Sequence, residues 1–165
     1  MNAYMTNGTY DFLAKLAKKY PAINLHFMSG SSNDVAYYEG TKLKIFQSGR
    51  DFEILVQSGD IQETGYVVMN NIPVIDEGQP IFEDNFKKRQ KEVDNQKGFQ
   101  AFRLLKPLKG NTYVVFTQWD SAESYERWKE SDGFKKAHTE TKPPAYFADR
   151  PYINTYQMIE KNEGK

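Results

Sequence analysis

Residues 65–119, GYVVMNNIPVIDEGQPIFEDNFKKRQKEVDNQKGFQAFRLLKPLKGNTYVVFTQW, hold the pattern on which the fold turns. The opening GYVVMNNIPV is strand-like, because apolar and polar residues alternate with the two-residue period of a pleated chain. EGQPIFEDNFKKRQKEVDNQKG then changes period. Pro80 suits a first helical turn, Phe82, Phe86 and Val93 form one apolar stripe, and Gly98 suits the stop. FQAFRLLK and NTYVVFTQW return to strand character on either side of PLKG, which reads as a hairpin.

Beyond this stretch, Ser121 is a suitable N-cap for AESYERWKE, with Glu123 in the first turn where the helix dipole favours an anion. Ser131 can cap a second short helix, GFKKAHTET, which KPP brings to an end. YINTYQMIE closes with a strand. The order β-α-β-β-α-β is that of a ferredoxin-like unit. Toward the N-terminus, NAYMT reads as a strand and TYDFLAKLAKKYP as a helix capped by Thr9, with Phe12, Leu13, Leu16 and Ala17 on one face. NLHFMSG, DVAYYEG and KLKIFQSG suit strands between glycine turns, and RDFEILVQSG a further short helix. Gly59 and Gly65 bracket the charged DIQET, the best boundary candidate. The expected fold is therefore α+β: a ferredoxin-like unit with an antiparallel sheet over residues 63–165, packed against a smaller, degenerate α+β unit over 1–62.

Composition narrows the chemistry. In 165 residues, 22 Lys plus Arg balance 22 Asp plus Glu, so nucleic acid is not an expected partner. Cysteine is absent, which removes thiolate chemistry and disulfides and fits a reducing cytoplasm. No basic start precedes an apolar run, and no stretch of about 18 apolar residues occurs, so neither export nor membrane insertion is expected. Aromatic residues reach 15%, which serves a sheet-rich core or a flat ligand equally.

Nucleophile-elbow, Walker, dinucleotide and HExxH spacings are all missing. Three features remain. His138 reads either as a solvated residue near a helix C-terminus, where the dipole favours imidazolium, or as a metal ligand with Phe134 one turn before it on the same face. Trp128 reads as core or as a ligand contact, and the SDG break allows it and His138 to face one cavity. Asn70 and Asn71 put amides inside an apolar strand, at a strand end or bulge, or as a buried group. Alternation groups Asn70 with Ile72 and Val74, so if that face is interior Asn70 needs a partner, which a ligand could supply.

TQWDSAESYERWKESDGFKKAH, residues 117–138, resembles the T-x-W-x-S-x-x-x-[FY]-x-x-W-x-x-S-D-x-F-K-x-A-H stretch of the IsdG-like haem-degrading monooxygenases of the antibiotic biosynthesis monooxygenase superfamily. The resemblance covers about the last 100 residues, and the whole chain, GTYDFL included, is similar to the longer Bacillus subtype called HmoB. It implies haem as substrate and cofactor, held with His138 as axial iron ligand, Trp128 pressing on the macrocycle, Phe134 lining the pocket, and Asn70, or Asn71 on a different alignment, donating to bound dioxygen. External electrons from a separate reductase are implied too. Short members of the family pair to close a barrel; here the N-terminal half could take the partner's place, giving a monomer. The same architecture also resembles the staphylococcal signal-transduction protein TRAP, which implies signalling, or haem binding without turnover, as the alternative.

Overall fold

The chain is described from a computed structural model, which covers residues 1–40, 45–131 and 145–160, with the backbone alone for 89–92. Its elements are β1 (Asn2–Gly8), α1 (Tyr10–Lys19), β2 (His26–Ser29), β3 (Asp34–Gly40), β4 (Arg50–Ser58), β5 (Tyr66–Pro73), a 3-10 turn (Asp76–Gly78), α2 (Gln79–Asp94), β6 (Phe99–Pro107), β7 (Thr112–Trp119), α3 (Ala122–Lys129) and β8 (Tyr152–Ile159). The β-α-β-β-α-β order of the second half is present. Among the described residues no helix is long and apolar enough to cross a membrane.

The antiparallel sheet of this ferredoxin-like half does not stop at its own edges: it continues into the N-terminal strands, and the eight strands close into one barrel, in the order β1-β3-β2-β8-β5-β7-β6-β4. Taken from β4, the circuit is two arcs with the same internal order, β4-β1-β3-β2 and β8-β5-β7-β6. Each arc alone would leave two unpaired edges, and joining them removes every edge. One seam, β4 with β6, has six paired positions and a register shift between Ile54 and Val56. The other, β2 with β8, has three, from Phe27 to Ser29.

Strand alternation divides the apolar residues between the inside and outside of this barrel. The inner core takes side chains from both arcs, Met5, Tyr37 and Phe52 from one and Met69, Phe116 and Met158 from the other. It also encloses an ion pair. Arg103 is 4% exposed, and its Nε lies 2.8 Å from Glu39 Oε2 while Nη1 donates to the carbonyls of Ser58, Gly59 and Phe102. Tyr37 donates to the same carboxylate at 2.7 Å. Arg103 Nε and Nη1 and the Tyr37 hydroxyl thus each meet an oxygen, as groups removed from water require.

Outside, α1 covers the first arc. Thr9 caps it by accepting from the Phe12 amide at 3.3 Å, and Leu13 inserts among Tyr4, Phe27 and Tyr38. Phe12, expected on the buried stripe, is 57% exposed, because of the four residues expected there Leu13, Leu16 and Ala17 alone face the sheet, joined by Tyr10. Two further expectations are corrected. RDFEILVQSG is strand β4 rather than a helix, since its backbone groups pair with both β1 and β6. KLKIFQSG is not a strand at Ile45 and Phe46; both are buried on the outer face, where the Ile45 amide donates to Tyr38 Oη at 3.0 Å. Residues 41–44 lie outside the described range. The first arc therefore lacks a counterpart of α3 among the described residues, and Phe46 packs edge-on against Tyr38 on that face.

Candidate functional site

Strand β5 presents its two asparagines to opposite sides. Val67, Met69 and Asn71 point into the barrel, whereas Val68, Asn70, Ile72 and Val74 point to the outer face beneath α2 and α3. Asn71 is 0% exposed and its amide is fully used: Oδ1 accepts from Arg50 at 3.3 Å, and Nδ2 donates to Met69 O, Tyr152 O and Asn154 Oδ1 at 3.2, 3.1 and 3.0 Å. Asn70 differs. Its Oδ1 is buried and has no hydrogen-bond donor among the described residues. In register it sits between Val115 of β7 and Ile153 of β8, in the middle of the outer face.

Indole rings form one wall of that face. Trp119, at the end of β7, is fully buried, and its ring N–H donates to Thr117 Oγ1 at 3.0 Å. Trp128 of α3 stacks on it with centroids 5.5 Å apart and planes inclined by 30°, and Tyr125 lies 6.1 Å from Trp128. The local sequence sets this up: Ser121 caps α3 by accepting from the Ser124 amide at 3.2 Å, so the helix begins three residues after Trp119 and folds back over it. Gly98, at φ +87°, lets the turn before β6 come close, for a Cβ there would be 2.2 Å from Ser124 Oγ.

The opposite wall is α2. Phe82 and Phe86 lie 4.8 Å apart, and Phe82 reaches Tyr113 of β7 at 4.7 Å. Tyr113 donates its hydroxyl in a short hydrogen bond to Glu83, which also pairs with Lys106 Nζ at 3.1 Å. Burial first, and the Glu83 carboxylate second, hold the Tyr113 phenol well above its ordinary pKa. This phenol remains a neutral donor that pins α2 to β6 and β7. On the β8 side, none of the described residues covers Ile153, which is 53% exposed beside Asn70.

The structure thus brings Asn70 and Trp128 to the same outer face and turns Asn71 away from it, into the barrel. His138 and Phe134 lie outside the described residues. Sequence reasoning passed over Trp119 as the slab on which Trp128 rests, although the alternation Tyr113, Val115, Thr117, Trp119 contained the signal. It also passed over the Tyr113–Glu83–Lys106 clamp, which joins elements far apart in the chain and leaves no local pattern. An outer face with aromatic walls and, among the described residues, a buried amide oxygen without a donor suits a flat, largely apolar ligand with a polar centre.

Residues 65–140 match the family model described as antibiotic biosynthesis monooxygenase. A heme-degrading monooxygenase of Listeria monocytogenes is 30% identical over 128 residues, covering 78% of this chain and 77% of that protein. The signal transduction protein TRAP of Staphylococcus aureus is 26% identical over 153 residues, 93% of this chain and 92% of that one. Among solved structures, that of a major regulator of staphylococcal pathogenesis superposes with a TM-score of 0.86 at 25% identity, covering 97% of this chain and 100% of that chain.

Proposed function

Because the chain belongs to the antibiotic biosynthesis monooxygenase family, we propose that it degrades haem on the outer face of β5, β7 and β8, opening the macrocycle with dioxygen and releasing iron. The observation that carries this reading is the buried Oδ1 of Asn70, without a donor among the described residues, on a face walled by the Trp119–Trp128 stack. The face fits a tetrapyrrole: indole surfaces favour a flat conjugated ring, and an amide at the centre of the face lies where the polar iron centre of such a ring would come.

Haem, when bound, supplies its own iron for oxygen activation. The protein's part is to hold and orient. In this reading His138 would hold the haem iron, a role drawn from its place in the S-D-x-F-K-x-A-H pattern, and Phe134 would line the same pocket. The Asn70 side chain would offer its N–H to bound dioxygen and so fix the direction from which it meets the ring. Trp128 presses on one face of the macrocycle and is itself prevented from yielding by Trp119 behind it. Water is kept out by the α2 wall, where Phe82 and Phe86 pack on Tyr113. Electrons come from a separate reductase in the cytoplasm. Residues 63–165 form the haem-handling unit and 1–62 the degenerate partner unit, so one chain acts as a monomer.

Haemin added to the purified protein tests this. A Soret band that survives desalting, is lost in His138→Ala and bleaches with reductant under air is the expected result. Trp128→Ala is expected to keep the band while slowing the bleaching. A stable band without bleaching identifies a haem carrier. Absence of a band favours the second reading, a signalling protein, for which the observation is the TM-score of 0.86 to the staphylococcal regulator.

A further inference from the structure

At one end of the barrel a cavity of about 300 Å³ opens where the starts of β4 and β8 meet the β6–β7 turn. It lies away from the Trp128 face, and Arg50, Phe52, Lys109, Asn111, Thr112 and Tyr152 line it. We propose that this cavity is a second ligand site, for a small molecule carrying a compact oxyanion, either a carboxylate or a phosphate.

The argument starts from Arg50. A guanidinium has five N–H donors in a planar fork matched to carboxylate and phosphate. Here Nη1 reaches only the Asn71 amide oxygen at 3.3 Å, Nη2 reaches Met5 Sδ at 3.3 Å, and the cation stands 5.6 Å from the centre of the Phe52 ring. Both partners are neutral, and sulfur is a weak acceptor. Arg103, in the same barrel, is met by a carboxylate and three carbonyls. The fold therefore meets one guanidinium with a carboxylate and leaves the other, exposed at the cavity, without a counter-charge among the described residues.

Lys109 lines the same cavity and forms no ion pair with the described residues. Asp51 is the acidic residue of the lining, but alternation along β4 turns its side chain outward: it pairs in register with Tyr4, on the outer face, and its charge acts on Tyr38 there. What Asp51 offers the cavity side is backbone, its carbonyl accepting from the Leu108 amide at 3.0 Å. Two cations and the hydroxyl and amide groups of Thr112, Asn111 and Tyr152 thus converge on one hollow, with Phe52 beneath them. Arg50, Lys109, Asn111 and Tyr152 are exposed around it, so an oxyanion reaches them from solvent and gains charge-assisted hydrogen bonds above the buried Phe52.

The full-length protein, at constant ionic strength, is titrated with inorganic phosphate and separately with succinate, following the Arg50 Nε–H and Asn71 side-chain amide signals by NMR. Saturable shifts with either probe are expected, and the probe that binds more tightly identifies the headgroup. Lys109→Gln, in an exposed turn, and Arg50→Gln should each weaken binding by about tenfold or more, the worth of one charged hydrogen bond. Shifts that chloride reproduces, absence of saturation with both probes, or affinity unchanged in both variants would overturn the site. No haem is needed for the measurement, so its failure leaves the haem reading standing.

Discussion

A buried amide oxygen without a donor costs a folded chain roughly 1–3 kcal/mol, and Asn70 carries one. Replacement by the similarly sized leucine removes that cost. Asn70→Leu is therefore expected to stabilise the protein by about 1 kcal/mol or more in denaturant unfolding while slowing haem degradation. A destabilised variant, or one that turns over normally, would remove the assigned role. Asn71→Leu should do the reverse on stability, since it strands Arg50 and breaks three donations. That opposite behaviour was legible in the sequence, because a strand's period of two separates neighbours onto different faces whatever the tertiary context. Arg50 was not legible. Its partner is 21 residues away on the other arc, and only closure of the barrel brings them together.

Among the elements, α3 is the one whose chemistry can be read by pH. Burial first, then the charge of Glu126 and the neighbouring Tyr66, push the Tyr125 phenol up to about 12. In the unfolded chain a tyrosine ionises near 10, so above that pH the unfolded state binds fewer protons than the folded one. Stability contributed by Tyr125 is complete below about 10 and is lost as pH rises toward about 12. Thermal unfolding midpoints should fall across that window, and less steeply in Tyr125→Phe. Equal slopes in the two proteins would place the loss elsewhere. Helix α3 was easy to foresee from Ser121 and Glu123, because capping is local chemistry. Strand β4 was not. Phe52 and Ile54 face the inner core while Leu55 and Val56, past the register shift, face the outer cluster, so apolar residues at 52, 54, 55 and 56 mimic a helical stripe.

For the whole molecule, the Glu39–Arg103 pair ties β3 of one arc to β6 of the other through the barrel interior. Glu39→Gln leaves the guanidinium buried against carbonyls alone. Glu39 keeps 20% of its side chain exposed, so the loss should fall toward the low end of the range for a broken buried pair, about 3 kcal/mol in equilibrium unfolding. A loss below about 1 kcal/mol would mean water already screens the pair. Because every strand edge is paired within one chain, sedimentation should report a monomer across concentration, and a dimer would mean the outer faces associate.

The seam between β2 and β8 is joined at only three positions against six at the other. A cylinder fastened unevenly parts along its shorter row, so thermal breathing should begin at residues 27–29 and lift β8 before any other stave. The stave that lifts is the one flanking Asn70. Slackness there gives a bulky, rigid guest a way in that leaves the tighter seam clenched.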